Sequence, residues 1–109
     1  MGPVNIGVVG LGTVGAGTVQ VLQQNGVEIS RRAGREIRVT HAAVRDLDGR
    51  RACSLDDIEL TVDAMSLVHN PDIDVVLELM GGCDDAYDIV ISALRQKKHV
   101  VTANKALIA

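Results

Sequence analysis

Residues Val4–Gly15 read VNIGVVGLGTVG, an apolar strand pattern that leads directly into Gly-x-Gly-x-x-Gly. A helical pattern begins at Thr13, so the glycines stand between a strand and a helix. This context gives the motif a physical meaning, because glycine patterns alone are common by chance. Gly10 permits the tight turn off the strand, Gly12 lets the backbone approach a pyrophosphate, and Gly15 lets the helix pack closely on the sheet.

The amino end of that helix is suited to an anion, because its first N–H groups lack partners within the helix and its dipole end is positive. We therefore predict that the chain binds a dinucleotide. In this interpretation the backbone N–H groups of Thr13 and Val14 meet the phosphates, and Leu11 lies along the cofactor. The alternative is an ordinary strand-to-helix turn in which the three glycines serve packing alone.

The composition fits one globular α/β domain. The chain has 109 residues, enough for a single core, and 47% of them are hydrophobic. These are nearly all Val, Leu, Ile and Ala, with Tyr87 as the only aromatic residue, which suits a parallel sheet buried on both faces. The formal net charge of −3 argues against nucleic acid or an anionic membrane as a partner.

Cysteine and histidine usage predicts neither a disulfide framework nor a metal site. The two cysteines, Cys53 and Cys83, do not have the spacing of metal ligands. The same holds for the three histidines, His41, His69 and His99. Free cysteines indicate a reducing compartment. We expect a cytoplasmic protein, because the start of the chain lacks a signal-peptide pattern and no apolar run approaches the roughly 20 residues that span a membrane.

Strand and helix patterns alternate along the rest of the chain. We predict that the first helix ends or kinks at Asn25-Gly26 and that the next stop is Ala33-Gly34. The further predicted strands lie at 37–44, 58–60, 73–80 and 99–102, and the further helices at 62–68, at 84–97 and from Asn104. This alternation is typical of an α/β fold of the Rossmann-like, doubly wound type, with a mostly parallel sheet in three layers.

Helical spacing also predicts the apolar face of two helices. In the first helix the inward positions are expected to be Val14, Thr18, Val21 and Leu22. In the helix at 84–97 one face carries Tyr87, Val90, Ile91 and Leu94.

Arg45 bears on the choice of cofactor. A domain that binds NAD usually ends its second strand in Asp or Glu, which accepts a hydrogen bond from the ribose 2′-hydroxyl. Here that strand ends in Arg45, whose guanidinium group can pair bidentately with a 2′-phosphate. The sequence therefore favours NADP, while Asp46, the next residue, keeps NAD open. The alternative is that Arg45 only faces solvent in a polar loop.

Two further features lie where the strand predicted at 73–80 ends. Glu78 interrupts an otherwise apolar strand, close to the sheet edge at which ligands bind. It either orients the loop or meets substrate, or it pairs at the edge with a backbone amide or a cation, which is the interpretation that we favour. Gly81 and Gly82 either let the backbone approach the nicotinamide ribose or form a plain tight turn.

Four segments together resemble the cofactor-binding domain of homoserine dehydrogenases. They are GLGTVG at 10–15, AVRD at 43–46, ELMGG at 78–82 and VTANKAL at 101–107. The first segment fits many dehydrogenases, whereas the last two in this order are much more specific. The resemblance implies NAD(P)-dependent interconversion of L-homoserine and L-aspartate 4-semialdehyde, in the synthesis of threonine, methionine and isoleucine.

The resemblance also implies roles for individual residues. It assigns Lys105 to catalysis, and a cation near the start of a predicted helix is unfavourable enough to suggest a function. The predicted cofactor-binding set is Gly10, Leu11, Gly12, Thr13, Val14, Gly15, Arg45, Gly81, Thr102 and Lys105.

The apolar helical pattern is unfinished at 106–109, so we expect residues 1–109 to be the N-terminal part of a longer enzyme. The resemblance implies that this part is the NAD(P)-binding domain and that the full-length enzyme is a homodimer. The resemblance places the substrate contacts in a separate domain outside this sequence. Two alternatives stay open: a non-catalytic dinucleotide-binding sensor module and a related semialdehyde dehydrogenase.

Overall fold

The computed structural model describes residues 3–11, 13–44, 58–79 and 84–102, with the side chains of 13–16 and 84–86 left undescribed. The elements in chain order are β1 (Val4–Val9), α1 (Thr13–Gln24), α2 (Gly26–Ala33), β2 (Ile37–Ala43), β3 (Glu59–Thr61), α3 (Ala64–Val68), β4 (Val75–Glu78), α4 (Asp84–Arg95) and β5 (His99–Thr102). The features predicted at Gly12 and within 45–57, 80–83 and 103–109 lie outside the described residues.

The strands of the described residues form one sheet in the order β3-β2-β1-β4-β5, and every neighbouring pair is parallel. The chain begins in the middle of the sheet with β1, builds outward through β2 and β3, and then returns to the other side of β1 with β4. The strand order therefore reverses between β1 and β4. In open α/β sheets a crevice for ligands lies outside the carboxyl ends of the strands at this point.

Both faces of the sheet are buried, which confirms the predicted three-layer, doubly wound fold. One hydrophobic cluster packs on the α1 side, and it consists of Ile6, Val8, Leu11, Val19, Ala42, Val44 and Ile58. The other packs on the side of α3 and α4, and it consists of Val9, Ala43, Leu67, Val68, Ile73, Val76, Ile89 and Ala93. We call them the α1-side cluster and the α4-side cluster.

The helix boundaries follow the predicted signals closely. The helical pattern begins at Thr13 as expected, breaks at Asn25 and stops at Gly34, which adopts the left-handed conformation with φ 73°. Strand β5 covers the predicted residues 99–102, β3 lies one residue later than the predicted 58–60, and β2 ends one residue before the predicted 37–44. The largest difference is in β4, which covers 75–78 rather than 73–80, because Ile73 lies before the strand and donates its N–H to the carbonyl of Asn70.

The helix faces differ from the spacing-based prediction. Among the α1 side chains that the structure describes, which begin at Gly17, Val19 is buried, whereas Val21 is 54% exposed, so the inward assignment of Val21 is wrong. Helix α4 packs on the sheet through Ile89 and Ala93, which leaves Tyr87 and Leu94 more than half exposed. Ile89 and Ala93 are four residues apart and therefore lie on one face of the helix, which differs from the predicted face of Tyr87, Val90, Ile91 and Leu94.

Gly7 allows a direct test of packing on the α4 side of β1. A Cβ added to Gly7 would lie 2.8 Å from Cδ2 of Leu67 and 3.0 Å from Cδ1 of Ile73, and both of these side chains are buried. Overpacking costs about 1–3 kcal/mol, and removing a strand glycine returns about 0.5–1 kcal/mol. We therefore expect Gly7→Ala to lower the free energy of unfolding by about 1–2 kcal/mol, measured by urea unfolding followed by circular dichroism.

The matched control is Gly17→Ala in the interior of α1, where an added Cβ would meet nothing within 4 Å. This change should raise the free energy of unfolding by about 0.5–1 kcal/mol, because alanine is the better helix former. Shifts of the same sign in both variants would contradict the packing described for Gly7.

Candidate cofactor-binding site

The carboxyl ends of three neighbouring strands lie level with one another. Val9, the last residue of β1, pairs with Glu78 at the end of β4, and Glu78 pairs with Thr102 at the end of β5. The backbone ladder continues just beyond β4, since the N–H of Leu79 donates to the carbonyl of Val9 at 2.9 Å. These three positions form one continuous edge beside the point where the strand order reverses.

The chain turns away from the end of β1 at Gly10, whose backbone conformation favours glycine. Its φ is 97°, outside the range that L-amino acids adopt without strain. Its N–H donates to the carbonyl of Ala43 on β2 at 2.9 Å, which fixes the start of the turn against the neighbouring strand. Helix α1 begins at Thr13, so its first N–H groups are at the same edge of the sheet. This is the strand, turn and helix arrangement that receives a pyrophosphate.

Leu11 is buried in the α1-side cluster. Its side chain therefore anchors the turn to the core, and its contact with a cofactor stays a prediction. Of the other predicted cofactor-binding residues, Thr13, Val14 and Gly15 lie in the first turn of α1, and Thr102 ends β5. The remaining four fall outside the described residues: Gly12, Arg45, Gly81 and Lys105.

Glu78 has a partner that the sequence did not predict. Its side chain is fully buried, with 0% exposure, and its Oε2 accepts a hydrogen bond from Oγ1 of Thr102 at 2.5 Å. Sequence reasoning expected a backbone amide or a cation as the partner. The signal that was missed is positional: two polar side chains end two adjacent parallel strands at the same level.

Two cavities lie away from the carboxyl edge of the sheet. One of about 510 Å³ lies between the end of α1, the start of α2 and β2, where Leu22, Ile29 and Val39 are among its lining residues. Another of about 470 Å³ lies at the amino ends of the strands, beside Val4, Asp74 and His99. Neither is lined by Gly10, Glu78 or Thr102, and the segments that follow β2, β4 and β5 at the carboxyl edge are outside the described residues.

The histidines have local structural partners. His41 Nδ1 lies 2.8 Å from Oγ1 of Thr40, and its Nε2 lies 3.1 Å from Oε2 of Glu59. His69 Nδ1 lies 2.8 Å from the carbonyl oxygen of Met65. Among the described residues, no three His, Cys, Asp or Glu side chains are placed to hold a metal ion. None of the described helices combines the length and apolarity needed to cross a membrane.

Comparison with known proteins gives one consistent family. Residues 10–109 match the family described as homoserine dehydrogenase, NAD binding domain. The homoserine dehydrogenase of Methylobacillus glycogenes is 50% identical over 109 residues, which is 100% of this chain and 26% of that protein. That of Pseudomonas aeruginosa is also 50% identical over the whole chain, which covers 25% of that protein.

Solved structures show the same similarity in three dimensions. The homoserine dehydrogenase from Thiobacillus denitrificans superimposes with a TM-score of 0.85 at 48% identity, covering 97% of this chain and 24% of that one. The Staphylococcus aureus enzyme at pH 8.5 gives a TM-score of 0.87 at 36% identity, covering 96% of this chain and 26% of that one. The present chain thus spans about a quarter of the length of these relatives.

Proposed function

This chain belongs to the homoserine dehydrogenase NAD-binding domain family, and from that premise we propose that it is the cofactor-binding part of an enzyme that interconverts L-homoserine and L-aspartate 4-semialdehyde. The structural observation that carries the cofactor-binding role is Gly10, whose φ of 97° turns the chain from β1 toward α1 beside the crevice, and the family match carries the reaction. The relatives compared above are named homoserine dehydrogenases, so neither a non-catalytic sensor module nor another semialdehyde dehydrogenase is favoured.

The residues at the carboxyl edge fit a nicotinamide dinucleotide. Gly10, Gly12 and Gly15 would make room for the pyrophosphate at the amino end of α1, with the N–H groups of Thr13 and Val14 as donors. Gly81, Thr102 and Lys105 would contact the nicotinamide half of the cofactor. When bound, the nicotinamide ring supplies the hydride chemistry, and the protein supplies binding and orientation.

Lys105 is the proposed catalytic residue. It follows Thr102 by three residues, so covalent connectivity keeps its Cα within about 11 Å of the Cα of Thr102 at the carboxyl edge. An ammonium group there would hydrogen-bond the substrate oxygen and donate a proton to it as the aldehyde is reduced, or accept the proton in the reverse direction.

Arg45 supports NADP as the preferred cofactor. The preceding residue, Val44, is buried, and its N–H donates to the carbonyl of Thr61 on β3 at 2.8 Å, so the carboxyl end of β2 is held in place. One peptide unit of about 3.8 Å joins the Cα of Val44 to that of Arg45. This is where an acidic residue binds the adenosine ribose in NAD-specific domains, and here the guanidinium group would meet a 2′-phosphate instead.

Changing Arg45 to alanine should weaken NADPH binding far more than NADH binding. Loss of a charge-assisted, bidentate contact with the 2′-phosphate corresponds to a drop in NADPH affinity of about 10–100-fold, with NADH affected by less than about three-fold. The matched control is Arg38→Ala in the same strand, since Arg38 is exposed and donates to Oδ1 of Asn5 away from the carboxyl edge. Equal losses for both cofactors would contradict the assignment of Arg45.

Titration of the purified chain with NADPH and NADH tests the proposed cofactor role. The chain contains no Trp and one Tyr, so nicotinamide fluorescence can be followed with little interference from the protein. We expect both cofactors to bind, NADPH more tightly. Failure to bind either cofactor would count against the cofactor-binding role and in favour of a glycine turn that only packs.

The remaining parts of the proposal concern the complete enzyme. We place it in the cytoplasm, in the synthesis of threonine, methionine and isoleucine, and as a homodimer whose second domain holds the amino-acid substrate. Because this chain spans about a quarter of its relatives' length, these statements apply to the longer polypeptide.

A further inference from the structure

We propose that Glu78 is a positioning residue, whose buried carboxylate holds Thr102 so that the end of β5 forms the floor of the nicotinamide half of the cofactor site. The inference rests on the proposed function, and it assigns Glu78 a role that acts through Thr102. Its basis is the hydrogen bond of 2.5 Å between Oγ1 of Thr102 and Oε2 of Glu78.

The burial of Glu78 requires an explanation. Its side chain has 0% exposure, whereas carboxylates are almost never fully buried unless they are paired. Removing such a group from water is unfavourable without hydrogen bonds, and the hydroxyl of Thr102 supplies one of them. A strand that only needed to pack would be more stable with an apolar residue here, so the position of the carboxylate indicates a task at the sheet edge.

Both side chains lie on the same face of the sheet. Val76 and Val100 precede Glu78 and Thr102 by two residues and pack in or against the α4-side cluster. Because side chains alternate along a strand, Glu78 and Thr102 also face the α4 side. The hydrogen bond therefore connects the last residues of β4 and β5 from within the layer that α4 covers.

The pair completes the anchoring of β5 at its two ends. Before the strand begins, the buried Lys98 donates from Nζ to the carbonyls of Asn70 and Ile73, each at 2.7 Å. At the other end, Thr102 is held by Glu78. Within the described residues β5 is an edge strand, paired only with β4, so side-chain anchors contribute more to its position than they would in the middle of the sheet.

The position of the pair relative to Gly10 predicts which part of the cofactor it serves. The doubly wound fold has two mononucleotide-binding halves, with the pyrophosphate at the glycine turn and the adenosine ribose at the end of the second strand. Strands β1, β2 and β3 build the half that binds the adenosine part of the cofactor. The ends of β4 and β5 thus face the nicotinamide mononucleotide, and disturbing Glu78 or Thr102 should affect this half of the cofactor alone.

The experiment compares two ligands on the same variants by isothermal titration calorimetry. The ligands are NADPH and adenosine 2′,5′-bisphosphate, which contains only the adenosine half. We expect Thr102→Val and Glu78→Leu each to weaken NADPH binding by about 10-fold, because the end of β5 is then no longer held in position for the nicotinamide half of the cofactor. Binding of adenosine 2′,5′-bisphosphate should change by less than about two-fold, since that half is built by other strands.

Two further variants separate positioning from general stability. Thr102→Ser keeps the hydroxyl group, so its NADPH affinity should stay within about three-fold of that of the unmodified chain. The double variant of Thr102→Val with Glu78→Leu should bind NADPH no more weakly than either single variant, because Glu78 is proposed to affect the cofactor through Thr102. Thermal melting of each variant, recorded in parallel, reports its stability.

The outcomes are distinguishable. If the variants only melt at a lower temperature while the folded protein binds NADPH as before, the positioning role is wrong and the pair is structural. Equal losses for both ligands would also overturn it. If the unmodified chain binds neither ligand, the proposed function fails first, independently of Glu78.

Discussion

Replacing Gly10 by valine should reduce the affinity of the chain for NADPH by at least about 100-fold, a loss of about 2.7 kcal/mol. The backbone at Gly10 has φ 97°, and a non-glycine residue in such a sparsely populated region costs about 1–3 kcal/mol, with a β-branched residue at the upper end. The turn would relieve this strain by moving. It would then lose the bond from the Gly10 N–H to the carbonyl of Ala43 and displace the amino end of α1 from the pyrophosphate.

Gly34→Ala is the matched control for this prediction. Gly34 also has a positive φ, of 73°, and an added Cβ would meet nothing within 4 Å. Gly34 follows α2 and precedes β2, so it lies at the amino edge of the sheet, away from the crevice. This variant should lower the free energy of unfolding by about 1 kcal/mol through backbone strain alone, with NADPH affinity unchanged.

Fluorescence titration with NADPH and urea unfolding of both variants separate binding from stability. If Gly10→Val is folded at the temperature of the titration and binds NADPH as tightly as the original chain, the turn at Gly10 does not position the cofactor. The three glycines would then serve packing alone.

Local signals account for the parts of the fold that the sequence predicted. The strand that ends at Val9, the helix that begins at Thr13 and the stop at Gly34 depend on residues close together in the chain. Glycine conformation and apolar runs reveal such features directly. The alternation of strands and helices then leaves few topologies, because parallel strands need right-handed crossovers. The parallel, doubly wound sheet follows from these two constraints.

Features that depend on pairing between distant segments could not be predicted in the same way. The register between β1 and β2 shifts after Ile6, which pairs with Val39, while Gly7 pairs with His41. Thr40 is therefore the extra residue, and the shift lets Val39 and Ala42 contact the same α1-side cluster although they are three residues apart. No pattern within β2 itself marks this irregularity.

The same limit applies to the site. The sequence placed Glu78 and Thr102 at the ends of strands, but their hydrogen bond depends on β4 and β5 being adjacent and level. The rotation of α4 likewise depends on its contact with the sheet through Ile89 and Ala93, a face that the spacing of apolar residues in the sequence did not single out. Arg45 and Lys105, which lie outside the described residues, remain predictions from the sequence and from the family.

Replacing Lys105 by methionine should have the largest effect on the chemical step. In the complete enzyme we expect kcat for the reduction of L-aspartate 4-semialdehyde with NADPH to fall by about 10²–10⁴-fold, the usual contribution of a general acid. The dissociation constant of NADPH should rise by less than about ten-fold, because the glycine turn and Arg45 supply most of the binding. Methionine keeps an unbranched side chain of similar length, so the loss would report the missing ammonium group.

Lys105→Arg distinguishes proton transfer from electrostatic stabilisation, since a guanidinium group keeps its charge but does not release its proton at neutral pH. We expect its kcat to stay nearly as low as that of Lys105→Met. Recovery in the arginine variant would instead mean that the charge alone stabilises the substrate oxygen. Lys97→Met is the control, because Lys97 is exposed between α4 and β5 at the amino edge and should leave kcat unchanged. If Lys105→Met retains kcat within about three-fold, Lys105 takes no part in the chemistry, and the proton must come from a group in the substrate domain.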